Sequence, residues 1–292
     1  MFHRVAIIGL GLIGSSIGLA LRTSKAAQRV VGYDANKHQA HQAHKSGAID
    51  QSYPSLADAI RGSEFIVLAT PINAFRSSFQ DIAAIASPGT VVTDVASTKA
   101  QVISWAEEYL PSSVFFVGGH PIISKEYYQE GLTSAVLFKN CVYCLTPTKR
   151  TSSTAIDKVI QLIELLGARV RFLEPLEHDG LVAGVNHVPF ILSAVLMKTI
   201  AESPSWADAA IVADDSMYNM TRLTVKDPEV YRDICLANSE ALSRWLGEYI
   251  QELLVFRDQL DLHDSNLIQT FARSQKLREQ WQAMQNATNK PE

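Results

Sequence analysis

Up to about residue 170, short runs of apolar side chains alternate with longer segments whose apolar positions recur at helical spacing. The strand-length runs are Arg4–Ile8, Arg29–Tyr33, Glu64–Ala69, Thr90–Thr93, Val114–Val117, Cys141–Leu145 and Arg169–Phe172. Between them the spacing predicts helices over Leu12–Arg22, Lys37–Ser46, Ala74–Ala86, Thr98–Tyr109 and Ser152–Leu166. Strands that are apolar throughout and joined by helices predict a parallel sheet covered on both faces. After Leu173 the strand-length runs vanish, glycine becomes sparse and helical spacing takes over. The expected architecture is an α/β domain over residues 1–173 followed by an all-α domain over 174–292. From Arg273 the chain turns polar, and its last few residues are expected to fray.

Composition narrows the field. Apolar residues make up 47% of the 292 and charged residues 19%, which supplies two cores and carries no signature of disorder. The net charge of −4 leaves no basic excess for phosphates and argues against a nucleic-acid partner. An odd count of three cysteines suggests a reducing compartment. The N-terminal apolar run resembles a secretory signal, but glycines and serines interrupt it. The stretch Val182–Ile200 carries Asn186, His187, Pro189 and Lys198, which makes it a poor membrane span. A cytoplasmic protein without a membrane partner is expected.

Gly9-Leu10-Gly11-Leu12-Ile13-Gly14 fits G-x-G-x-x-G between a predicted strand and a predicted helix, the context that gives this pattern meaning. The glycines permit a tight turn, backbone approach to a pyrophosphate and close helix–sheet packing. The helix N-terminus adds unpaired N–H groups and partial positive charge. Twenty residues on, Asp34 ends the second strand, where a carboxylate can accept both ribose hydroxyls and repel a 2′-phosphate. A Rossmann-type domain that takes NAD rather than NADP follows. Ala69-Thr70-Pro71 and Asp94-Val95-Ala96-Ser97 end two further strands, so both segments are expected to line the ligand crevice. Ser97 can also serve as N-cap of the helix predicted from Thr98. Gly118-Gly119-His120-Pro121 closes a later strand and aims His120 into the same crevice. There a histidine can take a hydroxyl proton while hydride leaves the adjacent carbon.

Taken together, GLGLIGSSIGLAL, VLATP, VTDVASTK, GGHP, EGLTSAVLF and EHDGLVAGVNHVPF resemble the prephenate/arogenate dehydrogenase family, in order, from residue 4 to about 260. The resemblance implies oxidation of the ring hydroxyl of prephenate or arogenate, with loss of the ring carboxylate as CO₂. It implies that His120 accepts the hydroxyl proton with Ser97 orienting it, that His187 binds substrate, and that Arg222 pairs with a substrate carboxylate. It also implies a homodimer formed through the helical domain. A bidentate cation is what a dianionic substrate needs. The departures fall on the substrate side. Ile122-Ile123-Ser124 and Lys125-Glu126-Tyr127-Tyr128 replace the small residues usual after GGHP. Ser216-Met217-Tyr218-Asn219 replaces Gly-Phe-Arg-Asp, which removes an arginine four residues before Arg222, and Asn186 replaces a serine. These changes leave arogenate or a related cyclohexadienyl acid as alternative substrates, and a catalytically silent NAD-binding sensor as the reading from another class. The chain is expected to carry neither an added regulatory domain nor a preceding mutase segment.

At 100° per residue Asp179 and Asn186 share a helix face while His178 lies opposite His187, so His178 is expected to be structural or interfacial. Pro189 should kink or start a helix. The pair Cys141 and Cys144 falls in a predicted strand, where i and i+3 point to opposite faces, and carries no redox or zinc expectation. His38, His41 and His44 drift around a predicted helix and read as a solvated face. No metal is expected.

Overall fold

A computed structural model describes residues 1–123, 132–225 and 227–288. The altered segment Ser124–Tyr128 lies outside the described residues. The chain divides into two compact units, Met1–Ser239 and Glu240–Glu292.

In the first unit, strand β1 (Phe2–Ile8) leads through helix α1 (Leu12–Thr23) to β2 (Ala27–Tyr33). There follow α2 (Lys37–Lys45), a two-residue strand β3 (Gln51–Ser52), α3 (Leu56–Ile60) and β4 (Phe65–Leu68). Then come α4 (Phe75–Ile85), β5 (Val91–Asp94), α5 (Ala100–Tyr109) and β6 (Phe115–Ile122). The α/β part closes with β7 (Val142–Pro147), α6 (Ser153–Leu165) and β8 (Arg169–Phe172). Among the described residues the strands form one sheet in the order β3-β2-β1-β4-β5-β6-β7-β8. It is a Rossmann-type sheet, as the sequence predicts, with a helical region after it. Alternate side chains of the central strands feed two cores. Val5, Ile7, Phe65 and Val67 meet Ile17, Leu21 and Leu162 on one face. Ala6, Ile8, Ile66 and Leu68 meet Phe75, Phe79 and Val102 on the other.

Two strand expectations need correction. The pairing of β6 with β7 is antiparallel, although every other pair is parallel. Residues 132–141 are loop and turn rather than a crossover helix, and antiparallel neighbours need none. Strand β6 also runs on through Gly118–Ile122, so His120 sits within the strand opposite Cys144.

Past β8 the described chain is helical. Helix α7 (Pro175–Val182) opens with Pro175 and passes through a π-helical turn (Ala183–His187) into α8 (Val188–Ala201). Helices α9 (Trp206–Val212), α10 (Asp215–Thr221), the 3₁₀ turn Arg222–Val225 and α11 (Pro228–Ala237) complete the first unit. The wide turn stands just before Pro189, which lacks an N–H for the regular ladder. Pro175–Ala201 is long and apolar enough to span a membrane by length and composition. Its polar residues His178, Asp179, His187 and Ser193 are nevertheless buried.

The second unit is built from α12 (Ser239–Asp261) and α13 (Leu267–Thr288), which meet through Phe256 and Phe271 at 5.9 Å between ring centroids. Helix α13 continues well past Arg273, so the polar tail expected there is helical through Thr288.

Candidate active site

Helix α1 starts at the glycine loop, and its N-cap, Gly11, has no side chain to satisfy the first-turn N–H groups. Those groups are the anion-binding element of the loop. Gly9 adopts φ +93°, and a Cβ there would stand 2.4 Å from the carbonyl oxygen of Ala69. The space beside Gly11 is open apart from the Gln39 side chain at 3.5 Å, as a backbone approached by a pyrophosphate requires. Leu12, Ile13 and Gly14 form the first turn. Asp34 accepts the Leu10 N–H at 2.6 Å and the Asn36 N–H at 2.7 Å, which ties the loop to the end of β2. A cavity of about 520 Å³ opens beside it, with Tyr33, Lys37, His41 and Tyr53 in its wall. A dinucleotide fits this end of the sheet.

A second cavity, about 120 Å³, lies between the ends of β4 and β5 and helix α11. Thr70, Pro71 and Ser97 form one wall, and Val230, Asp233 and Ile234 the other. The Thr70 hydroxyl and one oxygen of Asp233 are buried there without a hydrogen-bond partner among the described residues. Orphaned polar atoms facing a cleft are what a bound polar ligand would satisfy.

Behind this cleft the GGHP strand is clamped. Asp94 and Lys99, both fully buried, form an ion pair. Asp94 accepts the Gly119 N–H at 2.8 Å and the Ala96 N–H at 2.9 Å, while the Lys99 ammonium donates to the Gly119 carbonyl at 2.7 Å. Burial pushes the Asp94 carboxyl up and the Lys99 ammonium down, and their mutual attraction opposes both shifts. Only glycine fits at 119, since a Cβ would meet the Asp94 carbonyl oxygen at 2.5 Å. Both backbone polar groups of Gly119, the residue directly before His120, are therefore held by charges.

His120 is buried, and its Nδ1 lies 2.9 Å from Nε2 of His178. His178 Nδ1 in turn lies 2.8 Å from the Asp179 carboxylate. That carboxylate also accepts the Lys99 N–H at 2.7 Å and the Ala100 N–H at 2.8 Å, capping α5 from another helix. Asn238 donates to the Asp179 carbonyl at 2.9 Å, and its amide nitrogen lies 3.4 Å from His187 Nδ1. A donor at Nδ1 makes Nε2 of His187 the protonated nitrogen, and this buried atom has no partner among the described residues. Burial holds His120 well below the ordinary histidine range, with His178, Lys99 and His187 pushing the same way. Burial likewise lowers His187 to about 4. Both rings are neutral near pH 7: His120 can accept a proton at Nε2, and His187 can donate a hydrogen bond.

The two halves of this arrangement coincide with two matching family models. Residues 17–172 match the prephenate dehydrogenase nucleotide-binding domain, and residues 174–274 the prephenate dehydrogenase dimerization domain. The chain belongs to the prephenate dehydrogenase family. It is an oxidoreductase. A prephenate dehydrogenase of Bacillus subtilis is 30% identical over 96% of this chain and 76% of its own length. The structure of prephenate dehydrogenase from A. aeolicus, in complex with hydroxyphenyl propionate and NAD+, superposes with a TM-score of 0.87 at 26% identity, covering 96% of this chain and 98% of the other. Arogenate dehydrogenase from Synechocystis gives 0.79 at 25% identity, with 95% and 99% covered.

Within this member of the prephenate dehydrogenase family the expected site residues divide into groups. Thr70, Pro71 and Ser97 share one cleft wall, and His120 and His187 are joined through His178, Asp179 and Asn238. Arg222 stands exposed at the start of its 3₁₀ turn, with no hydrogen bond to either histidine among the described residues. Ser97 does not cap α5, because that helix starts at Ala100 and Asp179 caps it. His178, expected to be structural or interfacial, packs against His120, whereas Asp179 and Asn186 do not share a face: Asp179 is buried and Asn186 exposed. The π-helical turn after Val182 changes the phase on which the straight-helix expectation depended. Sequence reasoning also passed over Lys99, Asn238 and Asp233. Lys99 ends the VTDVASTK segment; the other two have no local signal.

His38, His41 and His44 are exposed, and no cluster of metal-ligating side chains occurs among the described residues. Cys141 and Cys144 are buried free thiols, and burial pushes Cys141 up to about 12.

Proposed function

We propose that the chain is an NAD-dependent prephenate dehydrogenase that converts prephenate to 4-hydroxyphenylpyruvate and CO₂ in tyrosine biosynthesis. The observation that carries this reading is His120, a neutral buried imidazole whose Nδ1 is engaged by His178 and whose Nε2 has no partner among the described residues. Gly9, Gly11, Leu12, Ile13 and Gly14 would hold the pyrophosphate of NAD, Asp34 a ribose, and Thr70 and Pro71 the end nearer the substrate. When bound, NAD supplies the hydride acceptor. His120 Nε2 takes the ring hydroxyl proton as the carbinol C–H bond gives up its electron pair. The pair of the carboxylate bond then enters the ring as CO₂ departs, and the proton held by His120 returns to the ring oxygen to make the phenol. Prephenate and NAD⁺ thus give 4-hydroxyphenylpyruvate, CO₂ and NADH with no net proton. Ser97 orients the hydroxyl and His120, His187 donates from Nε2, and Arg222 pairs with a carboxylate. The likeness to an arogenate dehydrogenase supports a second reading, arogenate as substrate. Parallel kcat/KM values for prephenate and arogenate, each with NAD and NADP, separate the two, and turnover of neither would leave the silent sensor.

The assignment of residues 1–173 to the cofactor half and 174–292 to substrate binding and dimerisation belongs to the same proposal. Residues 174–274 match a dimerization domain, and Leu253, Leu262, Ile268 and Trp281 are 52–80% exposed in the single chain, an apolar load that a homodimer would cover. Three free cysteines support a reducing, cytoplasmic location.

Three outcomes test the parts. Asp34→Ser should lower the ratio of kcat/KM with NAD to that with NADP by about 10–100-fold, through a lost charged hydrogen bond. An unaltered ratio would remove Asp34 from the ribose. Arg222→Ala should raise KM by an amount worth about 1.5–3 kcal/mol, and an unchanged KM would move the carboxylate site elsewhere. The pH profile follows from the lowered His120. Its neutral form is the active one, so kcat/KM should stay flat down through pH 6.5 and fall along an acid limb only well below the ordinary histidine range.

A further inference from the structure

We infer that His178, anchored by Asp179, is a positioning residue that fixes the tautomer of His120 and so decides which ring nitrogen faces the substrate. The inference rests on the reading of His120 as the base. It starts at the Asp179 carboxylate, which can only accept and which already takes the N–H groups of Lys99 and Ala100 at 2.7 and 2.8 Å. Its third contact, 2.8 Å from His178 Nδ1, must therefore be supplied by an N–H of that ring. In neutral His178 the proton is then on Nδ1, and Nε2 carries a lone pair. That lone pair faces His120 Nδ1 at 2.9 Å, so His120 Nδ1 must donate. Its remaining lone pair is left on Nε2, the nitrogen that takes the substrate proton.

Without this partner the ring would favour the opposite tautomer, since free imidazole of histidine places its proton mainly on Nε2. A His120 protonated at Nε2 has nothing to accept with at the crevice. A proton taken up at Nε2 of His120 removes the base, so the acid limb of the pH profile reports His120. Around the pair stand Asp179 and His187 from the α7–α8 segment, Asp94 and Lys99 from β5 and the start of α5, and Cys144 opposite His120 on β7. Burial, His178, Lys99 and His187 all disfavour a positive charge on His120, while Asp179 fixes the orientation of His178.

Long-range ¹H–¹⁵N spectra of the full-length protein labelled at histidine read the tautomer without turnover, with His120 assigned by its loss in His120→Asn. In the unsubstituted protein His120 and His178 are both expected to carry Nδ1–H and a bare Nε2. In His178→Leu the His120 signals should move towards the Nε2–H form. The same variant should lose about 10–100-fold in kcat with KM for prephenate little changed. His178→Gln, whose Oε1 can accept where His178 Nε2 accepts, should recover most of that loss. An Nε2–H form of His120 in the unsubstituted protein overturns the proposal, and that measurement needs no variant to fold. A His120 tautomer and a kcat both untouched by His178→Leu overturn it as well. If His120→Asn turns over normally, the base assignment fails, while the spectra still decide the tautomer.

Discussion

His120→Asn is expected to lower kcat by about 10²–10⁴-fold while KM for prephenate and the affinity for NAD stay within a few-fold of their starting values. Asparagine is nearly as bulky as the ring and can still donate an amide N–H to His178 Nε2, so the packing between β6 and α7 survives. It has no nitrogen basic enough to take a hydroxyl proton. The loss should therefore fall on the chemical step, and the acid limb of the pH profile should disappear with it. Burial and the neighbouring charges that keep His120 neutral make this the expected outcome at pH 7. Steady-state kinetics with isotopically normal and carbinol-deuterated substrate provides the check, because a slowed chemical step raises the isotope effect towards its intrinsic value. Near-normal turnover would assign the base elsewhere.

The largest structural effect is expected at Lys99. Replacing it by methionine leaves the Asp94 carboxylate fully buried without its cation, and removing one partner of such a pair costs about 3–5 kcal/mol. The Lys99→Met protein should unfold at a correspondingly lower urea concentration. The deficit should depend on pH in a definite direction. In the variant the folded carboxyl is held protonated, above its value in the unfolded chain. Its contribution is therefore greatest at low pH and is lost as pH rises, so the gap to the unsubstituted protein should widen from pH 5 to pH 8. Asp94→Asn combined with Lys99→Met removes both charges and should recover much of the loss. A deficit under about 1 kcal/mol for the single variant would mean that Asp94 finds another partner.

Much of the cofactor half was legible in the sequence because its chemistry is local. The glycine loop, the strand before it and Asp34 occupy one contiguous β-α-β stretch, and each residue type there has one physical reason to be present. The same holds for GGHP, where Gly119 is required by the Asp94 carbonyl oxygen. What escaped is non-local or depends on helix phase. His178 meets His120 across 58 residues of sequence, and a straight 100° wheel turned it away from His187. The π-helical turn Ala183–His187 undoes that phase, and its only trace in the sequence is Pro189. Asp179 takes the capping role that Ser97 was one candidate for, because its helix docks at the start of α5, a tertiary event that no residue near Ser97 announces. The antiparallel turn into β7 was hidden for a similar reason. An apolar strand buried on both sides reads alike in either direction.

The decisive measurement follows NADH absorbance near 340 nm and CO₂ release together, with prephenate as sole substrate and NAD in excess. One NADH and one CO₂ are expected for each prephenate consumed, with kcat/KM unchanged through pH 6.5 and falling only well below it. No NADH from prephenate, with NAD binding intact, would overturn the assignment and leave the site to another substrate.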